Sequence, residues 1–230
     1  MHGLGGGGGP RPTAKAAGHK GPFAWAAFLY ALTHVALGGW VSAGGTSFPP
    51  NLYLGDVMMI SIDYCNVMAR YNVWQNRSLV RAADGLGDAA RWRDRGAFFK
   101  SIAATLNHLV WADALILERL KGNERPQDHV THSLDAPRDW GAYKALRAHR
   151  DAEILAWAGD LTAEDMQRVV RWVPLDGGDR VEMAFGLKAM TLFNHQTHHR
   201  GQIHGMLTAA GASPEPTDLP LMPADVGVDA

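Results

Sequence analysis

The sequence predicts an all-α fold: an antiparallel four-helix bundle with a long crossover loop and a small β-hairpin before the last helix. Three observations carry this. Four long segments repeat apolar residues at helical spacing, one polar stretch with two prolines separates the second from the third, and a single β-branched run breaks the period before the fourth.

The first helical segment covers residues 56–85. Ile60, Tyr64, Val67, Tyr71 and Trp74 recur at steps of four and three, one stripe of an amphipathic helix. Gly85 and Gly87 end it. A second helix is expected over residues 96–120, with Ala104, His108, Trp111 and Leu115 along its stripe and Gly122 as its stop. Residues 122–139 form a polar loop containing Pro126 and Pro137. The third helix spans residues 140–158, with Tyr143, Leu146, Ile154 and Trp157 on one side. Thr162 and Asp165 then have the spacing of a capping turn.

The run Val169, Val170, Arg171, Trp172, Val173 suits a strand, Asp176-Gly177-Gly178-Asp179 is a turn signal, and residues 180–183 can return. The last helix spans residues 184–210 and ends at Gly211. Pro214, Pro216, Pro220 and Pro223 predict an extended tail over residues 213–230.

Residues 1–57 differ from the rest. A glycine-rich start leads into an apolar stretch, and residues 21–55 contain no Asp, Glu, Lys or Arg. Three readings fit: a signal peptide, a membrane-spanning helix weakened by His34, Gly38 and Gly39, or a leader outside the domain with initiation near Met58 or Met59. The third is taken as the expectation, because the stretch lacks the amphipathic pattern of residues 58–210. The domain is then residues 58–212 and its expected location the cytoplasm.

The chain of 230 residues carries a formal net charge of −1 and one cysteine. Near-neutral charge without a basic run argues against nucleic acid as a partner. Lone Cys65 excludes an intrachain disulfide framework and a cysteine-based zinc finger, and is expected in the core.

Eleven histidines stand out in the composition. In the last helix, His195 and His199 are four apart and share a face with Leu192, Ile203 and Met206. His195 and His198 form an alternative pair on the other flank. Inward imidazoles are costly unless satisfied, and His108 on the second helix supplies a third. Two plus one histidines from facing helices can hold a divalent cation with one position open, as in catalytic zinc sites. The alternative is a set of hydrogen-bonded core histidines without metal.

Three stretches carry a resemblance: MARYNVWQN at 68–76, LNHLVWAD at 106–113 and NHQTHHRGQ at 194–202. With them, residues 58–210 resemble the DinB/YfiT-like family of metal-binding four-helix proteins. The resemblance implies a metal held by His108, His195 and His199, with His198 at a position that is common but not a ligand. It implies a divalent ion, zinc foremost, with nickel, iron or manganese as alternatives. Its members include thiol-dependent transferases and isomerases. The expected activity is metal-dependent activation of a thiol or water, transferase-like, with a hydrolase or a non-catalytic stress or ligand-binding protein as alternatives. The expected partner is a small-molecule substrate, of which a low-molecular-weight thiol is one candidate; oligomeric state stays open, a homodimer being one option.

Other residues are candidates for supporting roles. Asn107 and Asp113 flank His108 and are expected on a solvated face; Asp113 lies about 140° from His108 on its helix and can serve only a neighbouring helix. Arg200 and Gln202 are expected to anchor the last helix. Arg150 falls on the apolar line of the third helix, where it either grips a substrate carboxylate or pairs with Asp151 or Glu153 on the rim. Tyr71, Asn72, Trp74 and Asn76 are candidates for a pocket mouth, with a core role preferred for the two aromatics. His149 and His204 are expected in solvent, and His129 and His132 in the loop.

Overall fold

The computed structural model describes residues 60–125, 134, 137–175 and 179–227. The expectations for residues 1–57, and those for His129 and His132, lie outside the described residues. The described chain is mostly helical, with five α-helices and one two-stranded antiparallel sheet. The elements are α1 (Ile62–Asp84), α2 (Asp88–Trp92), α3 (Ile102–Leu120), α4 (Trp140–Gly159), β1 (Val169–Trp172), β2 (Val181–Ala184) and α5 (Phe185–Ala209). Short 3₁₀ turns lie at Asp165–Gln167 and Leu219–Leu221.

Local chemistry sets the helix starts. Ser61, Ser101 and Asp139 each precede a long helix, and their side-chain oxygens accept from the backbone N–H of Tyr64, Ala104 and Ala142. The Ser101 cap is buried (3.1 Å to Ala104 N). Ser101→Ala should cost about 1 kcal/mol, read as a lower urea midpoint with an unchanged slope.

The second long helix starts six residues later than the periodicity suggests. Gly96 and Lys100 both take positive φ (70° and 66°), and Ala97 and Lys100 form an isolated bridge, so the chain turns sharply before Ser101. The short α2 has no counterpart in the apolar pattern. It is held from outside: Arg91 donates to the carbonyls of Ala83 and Leu86 at the end of α1. The hairpin lies where it is expected, with Val169 opposite Ala184 and Trp172 opposite Val181, so that Ala184 belongs to the strand and not to the last helix.

The stripe read on α1 also needs correction. Val67 is 42% exposed. One buried row of α1 runs Cys65, Ala69, Asn72, Asn76, Leu79 and Ala83, mostly small or polar residues. Tyr71 and Trp74 lie on the flank, covered by the chain's end. Tyr71 Oη donates to Thr217 O (2.7 Å), Trp74 Nε1 to Glu215 (2.6 Å) and Gln75 to Pro216 O (2.9 Å). The proline-rich tail is thus strapped along α1, and Val226 packs with Tyr71, Val73 and Trp74.

The long helices α1, α3, α4 and α5 pack in the pairs α3–α5, α1–α4, α1–α5 and α3–α4. One apolar cluster, with Trp157, Trp172, Phe185 and Phe193, sits toward the hairpin. A second, with Leu79, Ile102, Leu109, Tyr143 and Leu207, sits toward α2. On α3, Asp113 lies between the parts of the helix that serve these two clusters, and His108 lies within the part that serves the second. Cys65 is fully buried in the first, and burial pushes its thiol up to about 11, which leaves it a core residue without nucleophilic character.

Candidate metal centre

Two helices bring three imidazoles together. His108 comes from α3, His195 and His199 from successive turns of α5, and one nitrogen of each ring lies within 4.8 Å of the others. His108 Nε2 stands 3.3 Å from His195 Nε2. In a tetrahedral zinc site with bonds of about 2.0–2.1 Å, ligand nitrogens are about 3.3–3.4 Å apart, so this pair already has a ligand spacing. The residues fit a divalent cation, and the donor set is all-imidazole, which suits zinc, nickel, copper or iron.

The surroundings keep the rings neutral. Burial lowers His195 to about 3, with the neighbouring His199 and His198 adding to it. Burial also lowers His199 to about 4, against a hydrogen bond to Gln202 that raises it. Neutral imidazole is the ligating form. His195 Nδ1 is buried without a hydrogen-bond partner among the described residues.

Gln202 has a different role from the anchoring expected of it. Its Oε1 lies 2.8 Å from His199 Nδ1, so that Nδ1–H donates to the amide oxygen and the Nε2 lone pair turns toward the other two rings. Its amide Nε2 lies 3.2 Å from His198 Nε2, and His198 itself is exposed and off the cluster. Gln202→Leu should weaken metal binding roughly 10–100-fold, measured by competition with a chromophoric chelator. An unchanged affinity would remove Gln202 from the site.

Aromatic rings cover one side of the site. Phe99, just before α3, stacks on His108 (4.0 Å between centroids) and lies 5.5 Å from His199. Trp111 lies 5.6 Å from His108. The periodicity does not single out Phe99, because it sits in the irregular turn before the helix.

A second polar structure holds the helices that carry the histidines. Asp113 is fully buried, against the solvated position expected. It accepts from Arg147 Nη1 on α4 (2.7 Å) and from Gln196 Nε2 on α5 (3.0 Å). Gln196 is the residue next to His195. Arg147 Nη2 also pairs with Asp151 (2.8 Å), which accepts from Asn76 Nδ2 on α1 (2.8 Å). Arg200 donates to Asn72 and lies over the Tyr71 ring, the anchoring role expected of it. Asn72 therefore belongs to the interior network, and Asn76, bonded to Asp151, also lines a cleft of about 210 Å³ between α1 and α4.

On α4 the interior arginine is Arg147 and not Arg150. Arg150 pairs with Glu153 at the rim (2.5 Å), and Arg147, three residues earlier, is the buried one. The buried line of α4 runs Tyr143, Arg147, Asp151, Ile154, Ala158. An Arg–Asp pair four apart was the available signal. Asn107 is also buried, and donates to Leu134 O (3.0 Å), pinning the end of the long loop to α3. His149 is exposed as expected, near Glu153, whereas His204 is half-buried.

Burial pushes the Asp151 carboxyl up to about 6, against the pull of Arg147 and Asn76 and with Asp113 adding to the rise. The folded state therefore holds this proton more tightly than the unfolded chain, whose carboxyl titrates near 3.8. The contribution of Asp151 to stability is complete below about pH 4 and is lost as pH rises through about 6. Asp151→Asn should flatten the fall in urea midpoint between those pH values; an unaltered slope would contradict this.

A family model described as the DinB family matches residues 58–225. No curated protein and no solved structure matches the chain.

Proposed function

The chain belongs to the DinB family, and on that basis we propose that it is a divalent-metal enzyme that activates a small thiol for group transfer. The observation that carries the reading is the convergence of His108, His195 and His199 from two helices. A divalent cation held by these rings supplies Lewis acidity, lowering the pKa of a thiol or water that reaches its open position. Three protein ligands, with no fourth histidine, cysteine or acid grouped with them among the described residues, support an open site.

The chain's own residues do the rest. The hydrogen bond from His199 to Gln202 fixes one tautomer. The Asp113–Gln196 bond holds the turn of α5 that bears His195. Phe99 and Trp111 exclude water from one side of the rings. The thiol has to come from outside, because Cys65 is buried in the core with its pKa raised. A low-molecular-weight thiol is therefore the proposed co-substrate. We read the four long helices as an antiparallel bundle around this site, and place the protein in the cytoplasm, where such thiols are abundant. Among the described residues no helix is long and apolar enough to cross a membrane.

The purified chain should carry stoichiometric metal, and its cobalt-substituted form should develop a thiolate-to-metal absorption band when titrated with mercaptoethanol. Absence of metal from the native protein overturns the reading. Metal without any response to thiols overturns the thiol part and favours activation of water.

A further inference from the structure

Burying a charge is strongly unfavourable unless it is paired. Arg147 meets that requirement with two carboxylates. Two other interior cations do not. Arg119, near the end of α3, is fully buried, and its Nε, Nη1 and Nη2 have no hydrogen-bond partner among the described residues. Lys188, in the first turns of α5, is 1% exposed and makes no hydrogen bond or ion pair among the described residues. Both rest against one ring: Arg119 lies 5.3 Å and Lys188 4.2 Å from the centre of Trp172 on β1. A cation–π contact offsets only part of the cost of burying either charge.

Among the described residues no carboxylate offsets them. Burial alone lowers Arg119 to about 10, and burial together with repulsion from Arg119 lowers Lys188 to about 7. The acids nearby are already engaged. Asp165 pairs with Arg168 (3.1 Å) and Glu124 with Arg180 (2.5 Å). A cleft of about 310 Å³ between the end of α3 and the start of β1 reaches Arg119 and is lined also by Gly122, Glu124 and Arg168.

We propose that Arg119 and Lys188 form a binding site for a small oxyanion, a carboxylate or phosphate group, seated against Trp172 and entered from this cleft. The planar guanidinium offers paired N–H donors to two oxygens, and the ammonium adds a point charge. The pair lies apart from the three imidazoles, although the Lys188 charge reaches His195 and adds to the lowering of its pKa. Lys188 precedes His195 by seven residues, roughly 10 Å along the helix. It stands independently of the metal reading.

The test uses the full chain, stripped of metal with a chelator, at constant ionic strength with chloride as the reference salt. Inorganic phosphate and acetate are titrated separately by calorimetry and by thermal unfolding. At least one should bind saturably at one site and raise Tm; whichever is preferred identifies the group. Arg119→Met and Lys188→Met should each weaken that binding at least tenfold, and His195→Ala should leave it unchanged. Without the anion Lys188→Met should be as stable as the native chain or more so, because it removes an unpaired charge. Saturating anion should then reverse the order. No saturable binding of either anion by the native chain overturns the proposal, as does binding that survives both methionine variants or is lost in His195→Ala.

Discussion

Replacing His108, His195 or His199 by alanine should abolish stoichiometric metal binding. Even a partner one shell out from a metal is worth roughly 10–100-fold in affinity, so loss of a ligand should exceed 100-fold. The three variants should behave alike, because the three rings converge on one point. Helical circular dichroism should be retained, since each substitution removes a ring whose burial as a polar group is itself unfavourable without metal. Elemental analysis of the purified variants reads the outcome. His198→Ala is the internal control. Its ring is exposed and turned to Gln202, so it should keep its metal. Equal loss in His198→Ala, or retention in any of the three, would break the assignment.

The second large effect is expected at Asp113. Asp113→Ala leaves Arg147 with one carboxylate where it had two, and Gln196 without its acceptor, all in the interior. Breaking a buried pair from one side costs about 3–5 kcal/mol, a large share of the roughly 5–15 kcal/mol that holds a domain folded. Arg147→Met in the same background should recover part of the loss. A double-mutant cycle by urea unfolding measures that coupling. Additive losses would mean that the two residues do not act as a unit.

The histidines and Asp113 differ in how far the sequence discloses them. The histidines are legible because helical spacing alone puts positions four apart on one face, and because His108 falls on an apolar stripe. The resemblance at 106–113 and 194–202 names the same three. Asp113 points to another helix by angle, yet nothing local says which one, or that it is buried. Its partner Arg147 sits one step off the line read through Leu146 and Arg150. Both lines are compatible with a helix, and the choice between them depends on Asp113 facing α4 from α3 and Asn76 facing it from α1.

The four long helices, the hairpin and the family are readable from the chain itself. These depend on residues a few positions apart, where geometry is fixed by the backbone. Packing between distant segments settled the rest. It paired Asp113 with Arg147, laid the tail along α1, and enclosed Arg119 and Lys188 around Trp172. Each of these sets the energy of a polar or charged group through its surroundings. Burial and partnering come from residues far apart in the chain, and no local pattern encodes them.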